Sequence, residues 1–136
     1  MNHLAKVFAI KIVATVTVWC APLILLPTSL LEAAGLPRQD ITLFVRLLGW
    51  AYLALCVGYA FGLRSALQGK RALGTIWMGI VSNAGASAFL FYFGVAGAWS
   101  AWGSPLQLLA WASALAALLI AVGLFVFGAM GRGEAI

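Results

Sequence analysis

Acidic side chains are nearly missing from this chain. Its 136 residues include only three carboxylates, Glu32, Asp40 and Glu134, against eight lysines and arginines. None of the three lies within a long apolar run of the sequence. A proton-coupled antiporter normally uses a carboxylate inside the membrane. This shortage therefore argues against such an exchanger.

Histidine and the common catalytic motifs are also scarce. His3 is the only histidine, and it precedes the first apolar run. A haem needs axial ligands such as histidine, so a b-type cytochrome is not expected. Cys20 and Cys56 form no Cys-x-x-Cys motif, and we expect two buried free thiols. The sequence thus predicts no catalytic residue, no metal site and no cofactor, and an enzyme is the hypothesis with the least support.

Charged residues are few overall, and long apolar runs replace them. The chain is 65% hydrophobic and 8% charged, whereas a soluble domain carries about 25% charged residues. Four runs each approach or exceed the ~20 residues that span a bilayer as a helix, and none alternates as a membrane barrel strand would. The sequence predicts an all-α membrane protein, a single domain over 1–136 and an up-down bundle of four transmembrane helices at about 7–27, 41–64, 72–96 and 105–128.

The basic residues are distributed unevenly between the two sides of such a bundle. Six of the eight fall on one side: Lys6, Lys11, Arg64, Lys70, Arg71 and Arg132. Basic loops stay in the cytoplasm, so we expect both termini to be cytoplasmic. The net charge of +5 is then explained by an inner face beside anionic lipids. No nucleic-acid partner is needed.

The link after the first run carries helix signals of its own. Ser29 and Glu32 have the spacing of a capping box, and Gly35 is placed to end a helix. We therefore expect a short interfacial helix after the first transmembrane helix. Asp40 is placed to cap the second transmembrane helix. Pro22 cannot donate a backbone hydrogen bond, so the first helix should loosen near it.

Small residues form a stripe on the second helix. Ala54, Gly58 and Gly62 repeat at four-residue spacing, which lets membrane helices approach closely. Gly79 contributes another small position on the third helix. We expect these four residues to pack helices together or to form a subunit interface.

Two charged residues and one amide lie within the runs. Arg46 sits about one turn inside the second helix, where a cation opposes the helix dipole. It should either snorkel or form a local ion pair, with Asp40, Glu32, a lipid phosphate or an anionic ligand as its candidate partners. Lys11 is expected to snorkel to the inner interface. Asn83, with Ser87 one turn later, either makes a helix–helix hydrogen bond or contacts a ligand or ion.

Tryptophan is comparatively abundant, with six residues. Trp77, Trp99 and Trp102 fit an interfacial aromatic belt. Three others lie deeper, in the outer half of the bundle: Trp19, Trp50 and Trp111. Core packing or lipid contact is the plainer interpretation of these three. The alternative is an apolar pocket that opens to the outer leaflet.

One segment resembles a known family. The pattern Leu25-Leu-Pro27, Gly35-Leu-Pro37, Phe44-Val-Arg46-Leu-Leu-Gly49 and Gly58-Tyr59 is similar to four-helix bacterial inner-membrane proteins of the DoxX-like type. The resemblance covers about a quarter of the chain. It implies a four-helix fold in a bacterial inner membrane and a quinone-linked or partner-linked role. It assigns no functional residue.

Three functional hypotheses follow from the sequence. The first is a non-enzymatic protein that binds a lipid or quinone-like molecule, or a partner membrane subunit. Its ligand site would be one outer-leaflet pocket lined by Trp19, Arg46, Trp50, Asn83, Ser87 and Trp111. The second is a homo-oligomeric transporter or channel for ions or small solutes, joined through the small-residue stripe. The third is a structural accessory subunit of a membrane complex.

Overall fold

The computed structural model describes residues 2–38 and 42–131. Within these ranges all regular structure is helical, in five segments: α1 (His3–Leu25), α2 (Thr28–Ala33), α3 (Thr42–Leu67), α4 (Leu73–Val95) and α5 (Ser104–Ala129). The four longer helices, α1, α3, α4 and α5, are long and apolar enough to cross a membrane. The prediction of an all-helical chain with four such helices is confirmed.

The observed ends of the helices differ slightly from the predicted ones. α1 starts at His3 because the Asn2 side chain accepts a hydrogen bond from the Ala5 amide at 2.8 Å. The same side chain donates to the Ala66 carbonyl at 2.8 Å, and α3 continues to Leu67. The predicted cap Asp40 lies outside the described residues, as do Arg132 and Glu134.

α1 changes its winding just before Pro22. Residues Val16–Cys20 form a π-helical turn, in which the Ala21 amide donates to the Val16 carbonyl. A wider turn of this kind accommodates a residue that cannot join the regular ladder, and Pro22 has no N–H to offer. The loosening predicted near Pro22 is confirmed.

α2 begins differently from the prediction and ends as predicted. The prediction of a capping box at Ser29 and Glu32 is wrong. Pro27 precedes the helix without a side-chain cap, and its carbonyl accepts hydrogen bonds from amides of the first turn. At the other end, Gly35 has φ +105°. Its amide donates to the Glu32 carbonyl at 2.9 Å, and the next amide reaches the Leu31 carbonyl at 3.0 Å. This is a Schellman ending, which favours glycine.

Consecutive long helices run antiparallel. Near one end of α1, the Phe8 ring packs on Gly62 of α3, where an added Cβ would stand 2.8 Å from the ring. Near the other end of α1, Leu23 packs on Gly49 of α3. Ser87 of α4 donates to the Ala114 carbonyl of α5 at 2.9 Å. Short distances between side chain and backbone thus hold neighbouring helices in register.

The buried core lies at the end of the bundle where the chain's described ends are found. Its residues come from all four long helices: Leu4, Ala5, Phe8, Tyr59, Ala66, Ile76 and Leu124. α1 and α5 also meet there, since the rings of His3 and Phe127 stack at 5.1 Å. Towards the opposite end, which carries α2 and is called the α2 end below, a groove opens between α1 and α5.

The glycine at the α1–α3 contact should be sensitive to substitution. A Cβ on Gly49 would stand 2.8 Å from Ile24 Cγ1 and 2.9 Å from Leu23 Cβ, and overpacking of this kind costs about 1–3 kcal/mol. At Gly85, in α4, a Cβ would meet nothing within 4 Å. We expect Gly49→Ala to lower the thermal unfolding midpoint in detergent, while Gly85→Ala leaves it unchanged or raises it. Equal midpoints for the two variants would contradict the close approach.

Candidate functional site

Arg46 joins the start of α3 to the end of α1. Its Nη1 donates to the Leu23 carbonyl and its Nη2 to the Leu26 carbonyl, both at 2.6 Å. In a continuing helix, the Leu23 carbonyl would accept from residue 27, but that residue is proline and has no N–H. The guanidinium supplies the donors that the end of α1 lacks, and its charge faces the negative end of that helix dipole.

The sequence predicted that Arg46 needs a partner, and these carbonyls are the partners observed. The candidate partners expected from the sequence were anions. A sequence shows which residues are charged, but it does not show which backbone carbonyls lack a donor. The missing N–H of Pro27 was the available signal. A role for Arg46 in holding a ligand stays a prediction.

Asn83 belongs to a closed hydrogen-bond cluster between α3 and α4. Its Nδ2 donates to the Gly79 carbonyl at 2.7 Å and to the Tyr59 hydroxyl at 3.0 Å. The Tyr59 and Ser82 hydroxyls are 2.8 Å apart. Asn83 is only 2% exposed, and Tyr59 is fully buried. The amide therefore makes the predicted helix–helix hydrogen bond, and its alternative role as a ligand contact remains a prediction.

An apolar cavity occupies the α2 end of the bundle. It has a volume of about 350 Å³, within the range of small-molecule sites. The lining residues are mainly apolar, although Trp19 and Trp102 each carry an indole N–H. They come from α1, α2, α3, α5 and the adjoining links: Val18, Trp19, Pro22, Leu23, Leu26, Leu31, Ala34, Leu36, Val45, Leu48, Trp102, Leu106 and Leu109. We call this space the outer cavity.

A backbone contact holds α2 over the outer cavity. The Gly103 amide donates to the Gly35 carbonyl at 2.9 Å. A Cβ on Gly35 would stand 2.6 Å from Gly103 Cα, so only glycine permits this approach. The link after α2 is thereby fixed to the link before α5, and Leu31 and Ala34 form one wall of the cavity.

The outer cavity adjoins the groove between α1 and α5. The groove has a volume of about 210 Å³ and shares Val18, Trp19 and Leu109 with the cavity. On α5 it is lined mainly by small side chains: Ala112, Ser113, Ala116 and Ala117. Small residues here leave room between the helices that larger ones would fill. Lys11 and Thr15 of α1 line the groove away from the cavity.

The six residues predicted as a ligand site lie in different surroundings. Trp19 lines both the cavity and the groove, and its ring is 6.2 Å from that of Tyr52. Trp50 is 65% exposed on α3. Trp111 packs against Trp99 with ring centroids 5.5 Å apart. Of the six residues, Trp19 is the one that lines the outer cavity and the groove. A shared ligand role for the six stays a prediction.

Ser87 and the predicted packing glycines face other helices of the same chain. Ser87 bonds the Ala114 carbonyl and is buried. A Cβ would meet Met78 at Gly58, Thr75 and Phe8 at Gly62, and Leu124 and Tyr59 at Gly79. Ala54 is exposed. Three of the four small residues thus lie at contacts between helices within the chain.

Sequence reasoning missed several residues of the outer cavity. Trp102 was assigned to an aromatic belt but lines the cavity. Trp99, assigned to the same belt, is only 6% exposed. It packs on Trp111 above Gly94, where a Cβ would come within 2.5 Å of the Trp99 ring. The sequence feature that could have indicated this space is the run of small residues on α5. The sequence does not specify which helix that run faces.

Comparisons with known proteins assign neither a family nor a function to the chain. No protein-family model matches the chain, and no curated protein or solved structure matches it. The resemblance to DoxX-like proteins stays a prediction.

Removing the Arg46 side chain should destabilise the α1–α3 contact. Arg46→Leu leaves the Leu23 and Leu26 carbonyls without these donors, and hydrogen bonds to a charged group contribute about 1.5–3 kcal/mol each. We expect a clear fall in the thermal unfolding midpoint in detergent. The control is Arg64→Leu, which removes an exposed guanidinium. An Arg46→Leu variant as stable as this control would contradict the capping role.

The Tyr59–Asn83 hydrogen bond should show energetic coupling. Tyr59→Phe and Asn83→Ala should each destabilise the protein by about 0.6–2 kcal/mol, and the double variant should lose less than the sum because both singles remove the same bond. Unfolding in mixed micelles measures the cycle. Thr17→Val is the control, because the Thr17 hydroxyl bonds the Val13 carbonyl of its own helix. Strict additivity would show that the two side chains act independently.

Proposed function

We propose that this chain is an integral membrane protein that binds a lipophilic molecule in the outer cavity. The observation that carries the proposal is the cavity itself: about 350 Å³, lined mainly by apolar side chains, and adjoining the groove between α1 and α5. Ligand sites are largely preformed and mostly apolar. A lipid or quinone-like molecule has the chemistry that such a lining accepts.

The charge pattern supports an orientation for this site. Asn2 bonds the Ala66 carbonyl, and Gly131 lies against the Arg71 guanidinium. Both described ends of the chain therefore adjoin the basic link between α3 and α4. With that link in the cytoplasm, the outer cavity belongs to the outer leaflet and α2 lies at the interface. The DoxX-like resemblance favours a bacterial inner membrane.

Binding from a bilayer differs from binding from water. A lipophile that leaves hydrocarbon for the outer cavity gains little from the hydrophobic effect, because its previous surroundings are also apolar. Its affinity must come from packing against fixed walls and from any polar group at its head. The indole rings of Trp19 and Trp102 offer large rigid surfaces for such packing.

The alternative of a homo-oligomeric transporter or channel stays a prediction from the sequence. Its proposed path residues, Asn83 and Ser87, are bonded within the chain. Gly58 and Gly62 of its proposed subunit contact face Met78, Thr75 and Phe8 of the same chain. No observation in the described residues favours this function over ligand binding.

Filling the junction of cavity and groove should prevent retention of a lipophile. Val18 lines both spaces, so Val18→Phe adds volume where they meet. We expect native mass spectrometry of gently extracted wild-type protein to detect a bound lipophile, and Val18→Phe to lose most of it. The matched control is Val81→Phe, at a 68% exposed position of α4.

The control separates loss of a site from a general change in lipid contact. Retention that is equal in wild type, Val18→Phe and Val81→Phe would place the bound molecule elsewhere on the surface. A wild-type monomer without any bound small molecule would overturn the proposal. A ligand-free homodimer would favour the transporter or channel instead.

A further inference from the structure

The groove between α1 and α5 has a polar end. Most of its lining is apolar, but Lys11 and Thr15 lie one turn apart on α1, and Ser113 lines it from α5. An ammonium group and two hydroxyls therefore border the same space. All three groups can donate hydrogen bonds.

The Thr15 hydroxyl makes no hydrogen bond in the described residues, and its oxygen keeps some accessible surface. Thr15 is only 5% exposed, and it lines the groove. Two other hydroxyls in the long helices are satisfied internally: Thr17 bonds the Val13 carbonyl and Ser87 bonds the Ala114 carbonyl. No fully buried side-chain oxygen or nitrogen of the described residues lacks a partner. The Thr15 hydroxyl is therefore accessible from the groove, where it can donate a hydrogen bond to a bound polar group.

Lys11 is a cation without a carboxylate partner among the described residues. The only described acid is Glu32, which belongs to α2 at the opposite end of the bundle. Ionisable groups within a membrane are expensive, and they pair or mark a ligand path. The groove at Lys11 therefore favours a negatively charged occupant.

We propose that Lys11, Thr15 and Ser113 bind the anionic headgroup of an amphiphile whose apolar chain follows the groove into the outer cavity. This inference rests on the proposed function, because the same cavity receives the chain. It adds the charge of the ligand and the position of its head. The chemistry shared by the possible ligands is an oxyanion on a long hydrocarbon chain.

The dimensions suit an extended chain. Pro22, which lines the outer cavity, is eleven positions after Lys11, so the path along α1 is about 16 Å long at 1.5 Å per residue. The lining between the two ends includes Val18, Trp19 and Leu109. These side chains are mainly apolar and offer contacts along a hydrocarbon chain.

Two sources of the oxyanion are distinguished by the choice of probe. A free fatty acid presents a carboxylate, and a phospholipid such as phosphatidylglycerol presents a phosphate diester. We would equilibrate purified protein with oleic acid, oleyl alcohol, phosphatidylglycerol or phosphatidylcholine and measure the bound fraction by native mass spectrometry. Oleyl alcohol and phosphatidylcholine are the matched probes without net negative charge.

The variants test each donor. We expect the wild type to retain one anionic probe over its matched partner by about tenfold, as one hydrogen bond to a charged group implies. Lys11→Gln should abolish this preference and Lys11→Arg should preserve it. Thr15→Val keeps the side-chain shape and should reduce the preference. Lys6→Gln, which alters an exposed lysine of the same helix, should not.

The outcomes separate this inference from the proposed function. If anionic and neutral probes are retained equally and Lys11→Gln changes nothing, while Val18→Phe still lowers retention of both, the headgroup site is wrong and the cavity stands. If Val18→Phe has no effect either, both are overturned. If Lys11→Gln does not fold, an unchanged anionic preference in Thr15→Val and in Ser113→Ala overturns the site.

Discussion

A helix that ends inside or near hydrocarbon must find donors for its last carbonyls, because lipid offers none. α1 meets this constraint in an unusual way, since Pro27 removes the amide that would serve the Leu23 carbonyl. Arg46 supplies both missing donors at 2.6 Å from the neighbouring helix. One side chain thus ends α1 and ties it to the start of α3. The chain is then free to turn into α2, which lies beside the outer cavity, and the rest of the site depends on that turn.

The polar residues of the bundle fall into two groups with different consequences. Asn83, Tyr59 and Ser82 satisfy one another and the Gly79 carbonyl, so they hold α3 against α4 and leave no unused donor for a ligand. Lys11 and Thr15 line an open groove and have no hydrogen bond in the described residues. An amide in mid-membrane therefore indicated packing, whereas the residues that favour a ligand were a lysine attributed to snorkelling and a threonine that sequence reasoning passed over.

The fold class followed from composition, because a chain that is 65% hydrophobic cannot hide its apolar surface without lipid. The Gly35 ending and the loosening before Pro22 also followed, since each depends on one residue and its own backbone. The outer cavity did not follow. In lipid, both the buried and the exposed faces of a helix are apolar, so hydropathy does not tell which way Trp19, Trp50 or Trp111 points. The separation of α1 from α5 depends on four-helix packing, which no local pattern encodes.

The surroundings of the cavity also limit how it can select a ligand. Lipid chains fill the bilayer around it, and a mainly apolar lining distinguishes one hydrocarbon chain from another largely by shape. An excess of membrane lipid would then compete with any specific molecule. Discrimination requires a polar contact that bulk lipid makes less well, and Lys11, Thr15 and Ser113 supply such contacts at one end of the groove. If the protein binds a defined amphiphile, the cavity accommodates the hydrocarbon chain of the ligand, and the polar end of the groove determines which amphiphile is retained.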